Sequence, residues 1–151
     1  METTPVAIIG AGPAGLMLSH LLHQHGIESV VFESRSRADV EGTVRAGILE
    51  QGTINLMRET GIGDRLDREA QIDEGIEISV RGERTRIALQ ELGGHSVAVY
   101  PQHDVLIDLI AQRLADNGTI LFETNVDSVE GHLDDSATVT YPGTAGVQNQ
   151  L

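Results

Sequence analysis

Val6-Ala7-Ile8-Ile9-Gly10-Ala11-Gly12-Pro13-Ala14-Gly15 decides the fold of this 151-residue chain. Four apolar residues run straight into G-x-G-x-x-G, and a helical pattern begins at once. Each glycine has a physical reason. Gly10 permits a tight turn off a strand. Gly12 lets the backbone approach a pyrophosphate, because no Cβ stands in the way. Gly15 lets the following helix pack closely on the sheet. Pro13 falls in the first helical turn, where a missing N–H does no harm. Ala14 follows it, where the helix N-terminus offers N–H groups and a positive dipole end to phosphates.

Outward from this turn, the helix has an apolar face at Leu16, Leu18, Leu21 and Leu22 and a stop at Gly26. A second apolar run, 29–33, ends on Glu33. An acidic residue about 20 residues past the glycines is placed to bind ribose hydroxyls. Strand, phosphate turn, helix and strand make a right-handed βαβ unit. The expected class is therefore α/β, a Rossmann-like domain that binds a dinucleotide. The motif alone leaves FAD and NAD both open.

Residues 34–46 are polar, carry Arg35, Arg37 and Arg45, and read as a functional loop with one helical turn. A helix is expected over 47–60, closed by Gly61 and Gly63, and a short one over 64–70. Residues 76–80 and 84–89 alternate with period two around a turn at Gly82-Glu83, which reads as a β-hairpin. A third strand is expected at 96–100. A long helix is expected over 103–117, ended by Asn117-Gly118. The strand 119–124 should lie parallel to the first two. Two antiparallel strands are expected at 126–130 and 137–141, then a turn at 142–146 with no return strand. Asp134-Asp135 reads as a loop. His20 and His23, one helical turn apart, read as residues of a surface helix and not as metal ligands.

The formal net charge is −13, all ten basic residues are Arg, and Lys and Cys are absent. This excludes a Schiff-base lysine, a P-loop lysine, disulfides and thiolate metal sites within the chain. No basic cluster marks a nucleic-acid face. No apolar run approaches the roughly 20 residues that a membrane span requires. A cytoplasmic location fits the lack of cysteine.

Several segments taken together carry a resemblance. They are 6–15, Leu21-Leu22-His23, Val31-Phe32-Glu33, the run Val44-Arg45-Ala46-Gly47-Ile48-Leu49-Glu50-Gln51-Gly52, and Tyr100-Pro101-Gln102. Over about residues 5–141 the chain resembles the N-terminal part of the 4-hydroxybenzoate 3-monooxygenase family of flavoprotein aromatic hydroxylases. The glycine signature is shared by many FAD enzymes, whereas the 45–52 run is far more specific. The resemblance implies FAD as bound cofactor, NADPH or NADH as reductant, O2 as oxidant and 4-hydroxybenzoate as substrate. It places Gly10, Gly12, Ala14 and Gly15 at the pyrophosphate turn and Glu33 on the adenosine ribose. It places Thr43, Val44, Arg45, Ala46, Gly47 and Ile48 beside the flavin, and Gln102 in contact with FAD. Two departures stand out: Thr43 occupies a position where family members often have Arg, and Asp73 one where a relay histidine occurs. The family enzyme is more than twice this length and is expected as a homodimer. The chain is thus expected to be an incomplete FAD-binding domain, with 72–100 a β insertion on the substrate side.

Overall fold

The structure is a computed structural model that describes residues 3–133 and 136–142, with the backbone alone of 148–150. It divides into two compact units, one formed by residues 1–43 and 106–151, the other by 44–105.

The first unit is built on β1 (Val6–Ile9), α1 (Pro13–Gln24), β2 (Ser29–Phe32) and α2 (Arg37–Gly42). The chain rejoins this unit in α6 (Gln102–Ala115), which is followed by β8 (Thr119–Leu121). β1, β2 and β8 form a parallel sheet in that order, with Ile8 beside Val31 and Phe32 beside Leu121. The expected parallel placement of the strand after α6 is borne out, although that strand stops at Leu121. Glu123, in the turn that follows, has a positive φ of 53°.

Strand alternation sends side chains to both faces. Ile8 and Val31 are buried, as are Leu16 of α1 and Leu109 and Ile110 of α6. Phe32 packs instead with Val139 and Tyr141, and with the half-buried Val30, Leu121 and Val126. The Phe32 and Tyr141 rings meet edge to face with centroids 4.9 Å apart. Val139 and Tyr141 come from a second, antiparallel sheet of β9 (Ser128–Glu130), β10 (Thr138–Pro142) and β11 (Gln148–Gln150), with β10 central.

β11 corrects the expectation that β10 lacks a return strand. Gln148-Asn149-Gln150 has no apolar alternation to read, and its backbone pairs antiparallel with β10. Of the turn expected at 142–146, Pro142 belongs to β10 and the rest lies outside the described residues, as does Asp134-Asp135.

α1 ends as expected at Gly26 (φ 71°), with the Ile27 N–H donating to the Leu22 carbonyl at 2.9 Å. Its buried face is partly polar, which corrects the surface reading of His20. That residue is only 3% exposed. Beside it, Ser19 Oγ lies 2.9 Å from Ser29 Oγ and accepts a 3.0 Å hydrogen bond from Nε of the buried Arg113. This network ties α1, β2 and α6 together. No group of three or more potential metal ligands occurs among the described residues.

The second unit contains β3 (Ile48–Glu50), α3 (Gln51–Glu59), α4 (Asp64–Glu69), β4 (Gln71–Asp73), β5 (Ile76–Val80), β6 (Glu83–Ile87), α5 (Leu89–Gly93) and β7 (Val97–Val99). β7 lies between β3 and β4 in an antiparallel sheet, and β5 pairs with β6 in a separate hairpin. Ile54, Met57, Leu66, Ala98 and Tyr100 form the buried centre.

Several expectations change here. Residues 48–50, expected as the start of a helix, form β3, because β7 offers them a ladder. The Gln51 side chain then accepts hydrogen bonds from the N–H (3.2 Å) and hydroxyl (2.8 Å) of Ser96. β4 was not expected at all. Residues 89–93, expected partly as strand, form α5, which Gly94 ends at φ 68°.

The hairpin turn sits at Arg81-Gly82, one residue earlier than expected, because Val80 pairs with Glu83. Both turn residues have positive φ, 54° and 87°, the signature of a type I′ turn. Arginine is strained at the first of these positions, where asparagine is tolerated. Arg81→Asn is therefore expected to stabilise the protein by about 0.5 kcal/mol. A raised thermal midpoint checks it; an unchanged or lowered one contradicts the turn assignment.

No helix among the described residues is long and apolar enough to cross a membrane.

Candidate cofactor-binding site

The glycine turn leaves β1 through Gly10, whose φ of 106° is open only to glycine, and whose N–H donates to the Phe32 carbonyl at 2.7 Å. Gly12 is the N-cap of α1, in extended conformation, with Pro13 next. No side chain caps α1 and no acidic residue lies in its first turn. A Cβ built on Gly12 meets nothing within 4 Å. The turn thus presents uncapped N–H groups across open space, which suits an approaching anion. Ala14 is exposed on that first turn.

Gly15 is the opposite case. A Cβ there would lie 2.2 Å from the Gly10 carbonyl oxygen and 3.1 Å from Ile8 Cγ2. The helix rests directly on the backbone of the turn it follows.

Glu33, at the end of β2, is buried. Its Oε2 accepts the Ala11 N–H at 2.9 Å, and its Oε1 accepts the Arg35 N–H at 3.0 Å and Arg35 Nε–H at 3.3 Å. Burial opposes ionisation of this carboxyl. The hydrogen bonds from the two backbone N–H groups and from the Arg35 side chain, with the guanidinium charge, outweigh it and hold the pKa below the ordinary glutamate value. Glu33 therefore contributes stability that is full above the unfolded pKa, about 4.3, and is lost as pH falls through the lower folded value. Urea midpoints at pH 7 and pH 3.5 should show a smaller acid loss in Glu33→Gln than in the unmutated protein. Equal losses would show that the carboxylate is not held in this way.

The polar stretch after Glu33 is more ordered than a loop. Ser36 caps α2, accepting the Asp39 N–H at 3.1 Å, and Arg37 pairs with Glu41. Thr43 closes α2 through its N–H and hydroxyl on the Asp39 carbonyl. Arg35, a member of the loop read as functional, touches Glu33. Its spacing of two from an acidic strand end was the available signal. The contribution of the Ala11 N–H had no signal in its side chain.

In the second unit, Val44, Arg45 and Ala46 are exposed. Gly47 packs against Tyr100-Pro101-Gln102. A Cβ there would lie 2.1 Å from the Tyr100 carbonyl oxygen, 2.6 Å from the Gln102 nitrogen and 2.8 Å from the Pro101 carbonyl carbon. The Tyr100 N–H donates to the Gly47 carbonyl at 3.1 Å. Ile48, next in β3, is 64% exposed. The structure thus brings Gly47 and Gln102 together, two residues 55 positions apart in sequence. Arg65 steadies this corner. Its guanidinium stands 5.9 Å from the Tyr100 ring centroid and donates to Asp104 Oδ1 at 2.6 Å. Asp73 lies in β4 opposite Val97.

Residues 3–151 match the family described as FAD binding domain. The chain is 42% identical over 123 residues to p-hydroxybenzoate hydroxylase of Acinetobacter baylyi, a match that covers 81% of this chain and 30% of that protein. Solved structures that share its fold include a monooxygenase and a hydroxylase. One is p-nitrophenol 4-monooxygenase PnpA from Pseudomonas putida DLL-E4, with a TM-score of 0.84 at 24% identity over 100% of this chain and 39% of that one. The other is aklavinone-11 hydroxylase, in a ternary complex with FAD and aklavinone, with a TM-score of 0.76 at 27% identity over 100% of this chain and 32% of that one. The chain thus spans about a third of the length of the proteins it resembles. With a parallel βαβ unit, an uncapped helix behind an open glycine turn and an acidic end to β2, the chain belongs to the FAD binding domain family.

Proposed function

We propose that the chain is the FAD-binding part of a flavin-dependent aromatic monooxygenase that converts 4-hydroxybenzoate to 3,4-dihydroxybenzoate with NADPH or NADH and O2. The observation that carries the substrate is the 42% identity to p-hydroxybenzoate hydroxylase across 81% of the chain. The open space at Gly12 and the bare N-terminus of α1 support the cofactor.

In this reading Gly10, Gly12, Ala14 and Gly15 bring backbone N–H groups to the pyrophosphate, and Glu33 accepts a ribose hydroxyl. The segment Thr43, Val44, Arg45, Ala46, Gly47 and Ile48 lies beside the flavin ring, with Arg45 toward phosphate or nicotinamide. Gln102, fixed by the Gly47 contact, holds the ring from the start of α6. FAD, when bound, supplies the redox chemistry between the nicotinamide and O2. The protein's part is to bind, orient and keep water away. The 72–100 stretch is assigned to the substrate side. No residue placed here is assigned to the aromatic ring, so residues 1–151 by themselves are expected to bind FAD without forming product.

FAD titration tests the cofactor half. Glu33→Ala should weaken binding by about 1.5–3 kcal/mol, while Glu28→Ala, at an exposed position between α1 and β2, should change little. Equal losses would remove the ribose assignment. The substrate half is tested by incubating the complete protein with FAD, NADPH or NADH, O2 and 4-hydroxybenzoate, and following 3,4-dihydroxybenzoate by chromatography. Consumption of nicotinamide without that product would refute it.

A further inference from the structure

Glu33 has fewer free acceptor positions than a ribose-binding carboxylate could use. A carboxylate offers about four lone-pair sites, two on each oxygen. Oε1 receives both the N–H and the Nε–H of Arg35, at 3.0 and 3.3 Å, with the Ser34 hydroxyl at 3.4 Å. Oε1 is therefore full. Oε2 receives the Ala11 N–H at 2.9 Å and retains one position.

This arrangement is not a chance rotamer. The backbone of residues 33–35 is clipped to the end of β8. The Glu33 N–H donates to the Leu121 carbonyl at 2.9 Å, the Thr124 N–H to the Glu33 carbonyl at 2.8 Å, and the Glu123 N–H to the Arg35 carbonyl at 3.0 Å. Glu123 adopts its left-handed conformation in the turn that makes the last of these bonds. Arg35 is thus held at both its backbone groups while its side chain lies on Glu33. The Arg35 side chain is 40% exposed and the Glu33 side chain 7%, so Arg35 closes the solvent side of the carboxylate.

We propose that Arg35 is a positioning residue for the adenosine half of the cofactor. By filling Oε1, it fixes the Glu33 carboxylate so that Oε2 spans the Ala11 N–H of the glycine turn and one ribose hydroxyl. Glu33 then couples the ribose to the turn that carries the pyrophosphate, and it takes one hydroxyl of the diol, not both. Without the Arg35 side chain, Oε1 keeps the backbone N–H of residue 35 but loses its guanidinium donor and opens to water, so the carboxylate is held less firmly. This rests on the ribose reading of Glu33, and the test separates the two.

FAD is titrated, by quenching of flavin fluorescence, into the purified protein and into Glu33→Gln, Arg35→Gln, Arg35→Lys and the double variant Glu33→Gln/Arg35→Gln. Arg35→Gln should raise the Kd by about tenfold, and Arg35→Lys, which restores a cation but not the fork, should recover part of that loss. The double variant should bind within about twofold of Glu33→Gln alone, because Arg35 acts through Glu33. Losses that multiply in the double variant would show Arg35 acting on FAD itself, and would overturn the proposal. So would a costly Glu33→Gln beside a harmless Arg35→Gln, which leaves the ribose reading standing. A harmless Glu33→Gln sinks that reading and the proposal with it.

Discussion

Gly15→Ala is expected to cost about 1–3 kcal/mol of stability and to weaken FAD binding at least tenfold. The added Cβ would lie 2.2 Å from the Gly10 carbonyl oxygen, and the obstruction is backbone, so no side chain can swing aside. Either α1 lifts from β1 by about 1 Å or the turn deforms, and both moves displace the N–H groups proposed to face the pyrophosphate. Gly12→Ala is the matched control. Its Cβ would enter open space, and its backbone already has a φ of −76° that alanine adopts without strain. Stability should fall by about 0.5–1 kcal/mol, from the N-cap preference for glycine over alanine, while FAD binding should still be lost to the new methyl. Chemical denaturation and FAD titration of both variants check the pair. If Gly12→Ala binds FAD normally, the open space there is not where the pyrophosphate sits.

Gly47→Ala is expected to be the more damaging to folding, at roughly 2–4 kcal/mol. Three backbone atoms of residues 100–102 would each lie within 2.8 Å of the new methyl. Relief requires separating the two segments, which also breaks the hydrogen bond from the Tyr100 N–H to the Gly47 carbonyl. The next pair in the ladder, Ile48 with Val99, would loosen with it. Gln102 begins α6, so the FAD contact proposed for it should shift as well. A cooperative denaturation transition moved by less than 1 kcal/mol would mean that this contact is softer than the structure shows.

The first βαβ unit could be read directly because its signals are local. An apolar strand, three glycines at fixed spacing, a helix stop and an acidic strand end all lie within residues 6–33. What escaped depends on partners remote in sequence. Ile48-Leu49-Glu50 carries an apolar pair that suits helix or strand, and only β7, almost fifty residues on, settles it. The helical expectation there failed because three residues have no period. β11 has no hydrophobic pattern to detect. His20 was misjudged because the buried side of α1 contains Ser19 and faces the equally buried Arg113, and a polar network inside a core has no hydrophobic signature. At the site, the identity of Glu33 was legible but its geometry was not. Its partners include two backbone N–H groups, which every non-proline residue carries, and the side chains of Arg35 and Ser34, which the sequence shows only as members of a polar loop.

The bond between Ser19 and Arg113 spans 94 positions of sequence. The first unit is discontinuous, since residues 44–105 leave it and return. This sets an order of folding events. The contiguous second unit closes its contacts over shorter separations, whereas β8 can join β2 only after the intervening chain has been gathered in. Loop-closure entropy makes that docking the late event. Arg113→Met, which keeps bulk and removes the bond, should therefore mainly speed unfolding and leave the refolding rate nearly unchanged, as expected of a contact formed after the transition state.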